Sequence, residues 1–111
     1  MKKIVIVGAG ISGLFFANLL RQNSKYELVI FEKNASINLD EGYGIQLSVN
    51  SMELLNKIGF KNFNIRNHFN PKKIDFYSLS KNKKICDLDI SRFNTEETKY
   101  STMKRGNLIE F

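Results

Sequence analysis

The chain has 111 residues, 42% of them hydrophobic and 25% charged, which suits a single soluble globular domain and excludes a disordered or low-complexity chain. One cysteine, Cys86, excludes both a disulfide-stapled module and a cysteine-rich zinc site. The formal charge of +6 is uneven: Lys57–Lys84 holds eight basic residues, Arg66 among them, against one acid, Asp75. Without the aromatic-basic pattern of an RNA-binding sheet, that stretch reads as a solvated, lysine-guarded hairpin, and no nucleic-acid partner is expected.

The apolar run Ile4–Leu20 begins after Lys2 and Lys3 and superficially resembles a signal peptide or a membrane helix. Its 17 residues fall short of the ~20 that span a bilayer, and Gly8, Gly10, Ser12, Gly13 and Asn18 interrupt it. A second β-type run ends at an acid soon afterwards, a pattern neither reading explains. No transmembrane segment is expected, and a cytoplasmic location is.

Lys3–Val7 is a short β-branched run, the signature of a parallel strand buried on both faces. It stops at Gly8-Ala9-Gly10-Ile11-Ser12-Gly13, and a helix is predicted from about Ile11 to Asn23, burying Leu14, Phe15, Ala17, Leu19 and Leu20. Tyr26–Phe31 reads as the next strand, with Glu32 at its end. Strand, glycine turn, helix, strand and acid make a βαβ unit for a dinucleotide. Gly8 permits the turn, Gly10 leaves room for a pyrophosphate, and Gly13 allows close helix–strand packing. Unpaired amides at the helix start, across Ala9 to Gly13, would face the phosphates. Glu32 lies 19 residues past Gly13, near the ~20 expected for an acid on the ribose hydroxyls. A carboxylate there repels a 2′-phosphate, favouring FAD or NAD over NADP; the pattern alone does not separate those two.

Glu41–Asn50 is a glycine-flanked extended piece leading into a helix predicted to start at Asn50 as its cap, with Glu53 completing a box-like arrangement and Gly59 as a left-handed stop. These segments together are similar to the N-terminal part of FAD-dependent aromatic-ring monooxygenases of the salicylate and para-hydroxybenzoate hydroxylase type. The resemblance rests on Val5, Val7, Gly8-Ala9-Gly10-Ile11, Gly13 and Leu14, then Phe31-Glu32-Lys33. It continues with Gly42, Gly44-Ile45-Gln46-Leu47 and Asn50, then Leu54-Leu55, Ile58-Gly59-Phe60, and Arg105 with Leu108. Val49 stands where family members often have proline. The resemblance implies FAD as cofactor, NAD(P)H as reductant and an aromatic small molecule as substrate. It also implies that Lys33 lies beside the adenosine ribose, that the Tyr43 backbone approaches the ribityl or flavin portion, and that Arg105 reaches the cofactor.

Lys72–Leu79 and Lys83–Ile90 have strand character around a Ser80-Lys81-Asn82 turn, so an antiparallel hairpin is predicted. In the resembled family such strands belong to the substrate-covering sheet. Cys86 within it is expected to be a small buried residue. Arg92–Thr98 reads as a loop. His68, between Asn67 and Phe69, is given no catalytic role, and nothing in the chain identifies a catalytic residue or a metal site. The fold class expected is therefore α/β, a Rossmann-like βαβ unit with an antiparallel β-hairpin. Residues 1–111 are expected to be the N-terminal portion of a larger FAD-binding domain, too short for hydroxylase turnover alone, since the family's later Asp-Gly and Gly-Asp motifs are not in it.

Overall fold

The structure, a computed structural model, describes residues 1–63 and 68–111. Arg66 of the basic run and Asn67 beside His68 lie outside the described residues. Two compact units divide the chain: Met1–Tyr43 with Lys104–Phe111, and Gly44–Met103.

The first unit is the βαβ element. Strand β1 (Lys2–Val7) and strand β2 (Tyr26–Phe31) pair in parallel, Lys2 opposite Tyr26 through Val7 opposite Phe31. Helix α1 (Ile11–Arg21) connects them. It ends two residues before the predicted Asn23, because the Asn23 side chain accepts the Lys25 N–H at 3.0 Å and draws the backbone into a turn. Ile6, Ala9 and Leu108 are the buried apolar residues of this unit. The expectation of a β1 buried on both faces is corrected: Val5 is 51% and Val7 87% exposed. In a parallel pair, alternate residues share a face. Ile4 and Ile6 look toward α1, whereas Val5, Val7 and Phe31 look the other way, where no helix of this unit covers them. The expected buried face of α1 is corrected for the same reason: Leu14, Phe15, Ala17 and Leu20 are only half-buried and Leu19 is exposed, because a single two-stranded sheet is too narrow to cover a wide helical stripe.

The chain re-enters this unit at its end, where helix α3 (Arg105–Glu110) begins at Arg105. The return requires glycine. A Cβ on Gly106 would lie 2.0 Å from the Leu39 carbonyl oxygen, so segment 33–43 can rest on α3 only because that side chain is absent.

In the second unit β3 (Gly44–Leu47) pairs with β6 (Ser101–Lys104), and α2 (Val49–Asn56) leads to a 3₁₀ turn (Phe60–Asn62). Leu47, Leu55, Phe60 and Met103 form its core, and Asn70 Nδ2 donates to the buried Ser101 Oγ at 2.8 Å. Helix α2 starts at Val49 with Ser48 as its cap residue, not at Asn50. The Asn50 side chain is occupied by the Ser48 hydroxyl, so neither caps a backbone amide, and the box with Glu53 does not form. Gly59 is left-handed, with φ of 96°, as a helix stop requires.

The predicted hairpin is present as β4 (Lys73–Ser78) and β5 (Lys83–Asp89), antiparallel, with a register shift at Phe76/Tyr77. Asn82 takes the left-handed turn position at φ 44°. Lys84 Nζ lies 2.8 Å from Asp87 and 3.5 Å from Asp75, which Lys73 also approaches at 3.5 Å. The Asp87 contact raises the Lys84 pKa and lowers that of Asp87. Cys86 is exposed, correcting the expectation of burial: it pairs with Phe76 on an apolar face that nothing in the hairpin covers. Arg92–Thr98 forms no helix or strand, as read from its polarity, though Thr98 is buried and bonded to Thr95 Oγ1 at 2.8 Å.

Placing a methyl against the Leu39 carbonyl is overpacking of a backbone contact. Gly106→Ala should therefore lower stability by about 1–3 kcal/mol in denaturant unfolding followed by circular dichroism.

Candidate dinucleotide site

The end of β1 builds the site. Gly8 turns the chain at φ +101°, a conformation costly for a side-chain-bearing residue, while its N–H still donates to the Phe31 carbonyl at 2.7 Å. Helix α1 folds back immediately, and a Cβ on Gly13 would sit 2.1 Å from the Gly8 carbonyl oxygen and 3.3 Å from Ile6 Cγ2. Gly13 is thus required for helix–strand approach, as its position suggested. Gly10 differs. Its backbone is extended and a Cβ there would meet nothing within 4 Å, so no packing within the protein requires glycine. The space beside it is open to a ligand.

Gly10 caps α1 without a side-chain hydrogen bond, and the first intrahelical bond runs from Leu14 N–H to the Gly10 carbonyl at 2.9 Å. The amides of Ile11, Ser12 and Gly13 precede it and have no intrahelical partner. They form a donor cluster at the positive end of the helix dipole, suited to phosphate oxygens.

Glu32 closes the turn from the β2 side. Its Oε2 accepts the Ala9 N–H at 2.8 Å and its Oε1 accepts the Asn34 N–H at 3.0 Å. The Asn34 bond first, and the Ala9 bond next, hold its carboxyl below the usual glutamate value. An ionised carboxylate offers about four lone-pair sites. Two are used by the backbone, which leaves acceptors for hydroxyl donors.

Arg105 arrives from the far end of the sequence. A cleft of ≈ 80 Å³ lies between the turn and α3, lined by Ala9, Gly10, Glu32, Glu41, Arg105 and Ile109 among others. The Arg105 amide donates to the Tyr43 carbonyl at 3.1 Å and its Nη1 to the Glu41 carbonyl at 3.4 Å. Gly42, at φ +91°, lies under this side chain: a Cβ there would come within 3.1 Å of Arg105 Cδ. The guanidinium is therefore placed by the Glu41 carbonyl and keeps further donors free.

Residues 6–40 match the NAD(P)-binding Rossmann-like domain family. The fold class is Rossmann-like, and the unit is a dinucleotide-binding one. No curated protein matches the chain.

Of the predicted site residues, Ala9, Gly10, Glu32 and Arg105 share the cleft; Gly8, Ile11, Ser12 and Gly13 form the adjoining turn and helix start without lining it. The Ala9 amide, expected to be unpaired, is taken by Glu32. Lys33 is exposed and does not line it, and the Tyr43 side chain is exposed, contributing its carbonyl to Arg105 instead. Sequence reasoning missed the loop Asn34–Glu41 as a wall of the site. Its signal was the density of Asn, Ser and Asp, residues that fold loops on themselves, as where Asn38 Oδ1 accepts the Asp40 N–H at 2.9 Å. The second unit contains a larger cavity of ≈ 320 Å³, with Phe60 and Met103 in its wall and His68, Lys61 and Lys99 also lining it. It has no array of helix-start amides. Among the described residues no cluster could hold a metal ion, and no helix is long and apolar enough to cross a membrane.

Because folding lowers the Glu32 pKa, its stabilisation is complete above the unfolded-state value and is lost as pH falls through the lowered one. Glu32→Gln should be less stable than the parent chain at neutral pH. The gap should narrow on acidification in circular-dichroism melts, and a gap independent of pH would remove the carboxylate's role.

Proposed function

We propose that this chain binds FAD in the manner of the N-terminal part of a flavin-dependent aromatic-ring monooxygenase. One observation carries the reading: Arg105 of α3, packed over Gly42, lines one cleft with Ala9, Gly10 and Glu32. Gly42 and Arg105 both belong to the elements in which the sequence resembles those enzymes outside the βαβ unit. A bare βαβ fingerprint has no need of either.

The residues fit the cofactor. The amides of Ile11, Ser12 and Gly13 would hold the pyrophosphate, and Glu32 would accept the hydroxyls of the adenosine ribose. Arg105 would neutralise cofactor charge with charge-assisted hydrogen bonds. Lys33, exposed next to Glu32, supplies positive charge on the ribose side, and Tyr43 would approach the ribityl or flavin portion. When bound, FAD supplies electron transfer from NAD(P)H and the activation of dioxygen, and the protein supplies position and field. Glu32 keeps its carboxylate ionised against a 2′-phosphate, which selects for a free 2′-hydroxyl. The hairpin β4–β5 would belong to the substrate-side sheet, over an aromatic small molecule.

The NAD(P) in the matched family's description favours a second reading, in which the same turn and Glu32 hold NAD and Arg105 merely ties α3 to its carbonyls.

Titration of the purified chain with FAD, NAD⁺ and NADP⁺ separates the two. FAD should bind with quenching of flavin fluorescence and NADP⁺ should bind most weakly; NAD⁺ binding more tightly than FAD would overturn the proposal. Gly10→Ala, which fills only ligand space, should leave the melting curve unchanged and weaken FAD by about tenfold or more, the effect of ~1.4 kcal/mol of overpacking.

A further inference from the structure

The cleft beside the glycine turn has a charge balance opposite to that of the chain. The whole sequence carries +6, yet two carboxylates, Glu32 and Glu41, line this cleft against a single cation, Arg105. Lys33 follows Glu32 directly and does not line it. The opening of α1 contributes about half a positive charge, which still leaves the lining negative. A cleft whose lining carries an excess of one sign focuses its field on whatever enters.

The two acids are held differently. Both Glu32 oxygens are engaged, Oε2 by the Ala9 N–H at 2.8 Å and Oε1 by the Asn34 N–H at 3.0 Å. Glu41 is fixed through its backbone instead. Its carbonyl accepts Arg105 Nη1 at 3.4 Å, and the next residue, Gly42, lets the Arg105 side chain pass where a Cβ would come within 3.1 Å of Cδ. The Glu41 side chain is exposed, and its carboxylate makes no hydrogen bond or ion pair with the described residues. One residue thus supplies the carbonyl that places the only lining cation and the second negative charge of the same cleft.

We propose that Glu41 is a specificity-determining residue of this site: its carboxylate sets a ceiling on ligand charge and rejects a nucleotide that carries a further phosphate on the adenosine ribose. The proposal rests on the reading that Glu32 takes the ribose hydroxyls, and goes beyond it in dividing the rejection between two acids from different segments. A phosphate on the ribose would sit in a cleft lined by both, with Arg105 as the one cation there to offset it. The division matters because only one of the acids is also structural. Replacing Glu32 removes the acceptor of the Ala9 and Asn34 amides along with a charge. Replacing the Glu41 side chain removes a charge alone and leaves its carbonyl on Arg105. Ligand charge can therefore be selected at Glu41 without disturbing the turn.

Calorimetric titration of the purified chain with ADP, the half that FAD and NAD share, and with ADP bearing a 2′-phosphate tests the proposal. The two probes differ by that group alone, so the ratio of their dissociation constants reads the discrimination. Glu41→Gln should melt like the parent chain and lower the ratio by about fivefold at 0.1 M salt, where the screening length is ~10 Å. At 1 M salt, with screening within ~3 Å, the ratios of parent and variant should converge. Asp40→Asn removes the same charge from the neighbouring residue, which does not line the cleft, and should shift the ratio far less. Glu41→Ser should reproduce the result and decides it should Glu41→Gln unfold. An unchanged ratio in the Glu41 variants, an equal shift in Asp40→Asn, or a shift that persists at 1 M salt would overturn the proposal alone. A parent chain that binds no ADP would overturn the reading of the site and the proposal together.

Discussion

The contact between the start of α1 and the Gly8 carbonyl sets what the dinucleotide unit can do. Only a residue without a Cβ at position 13 allows the helix to press to this distance. That approach brings the helix opening to the end of the strand, so its unpaired amides lie beside β1 and beside the acid that follows β2. The Ala9–Glu32 hydrogen bond is the consequence: the carboxylate reaches the turn because strand, turn and helix have no side chain between them. A donor array and an acceptor then stand side by side, the pairing that a phosphate next to a ribose demands.

The same device operates again where α3 joins this unit. Gly106 meets the Leu39 backbone, and Gly42 leaves room for the Arg105 side chain. Two close approaches at glycine thus bring a residue from the end of the chain to a turn near its beginning. The Arg105 guanidinium is held by the Glu41 carbonyl, so it needs no carboxylate partner that would compete with an anionic ligand. The positive helix opening and the arginine make a local field for phosphate that the formal charge of the whole chain does not describe. In the hairpin β4–β5, Lys73 and Lys84 are paired with Asp75 and Asp87.

Burial is where composition misled most. A β-branched run such as Lys3–Val7 is written for a strand with neighbours on both faces, and Cys86 lies in a strand with an apolar alternation. Both carry the pattern of a covered residue, yet Val7 and Cys86 are exposed. Periodicity records which face of an element is apolar. Whether another element lies against that face is a property of the assembled elements, not of the local pattern.

The βαβ order, the turn position, Gly59 as a stop and the hairpin were legible in the sequence, because each depends on the local chemistry of a few neighbouring residues. Glycine where φ is positive, β-branched runs and turn residues act within a handful of positions. The cap of α2 was not legible: Asn50 was read as the cap, but its side chain is taken by the Ser48 hydroxyl, which removes both from capping. Nor was the partner of Glu32: spacing placed the acid near the turn, but only the folded backbone shows it accepting the Ala9 and Asn34 amides. That Arg105 and Gly10 share a cleft was decided by the tertiary structure alone. Ninety-odd residues separate them, and no local rule acts over that distance. Their meeting depends on how closely backbones without side chains at Gly13 and Gly106 can pack.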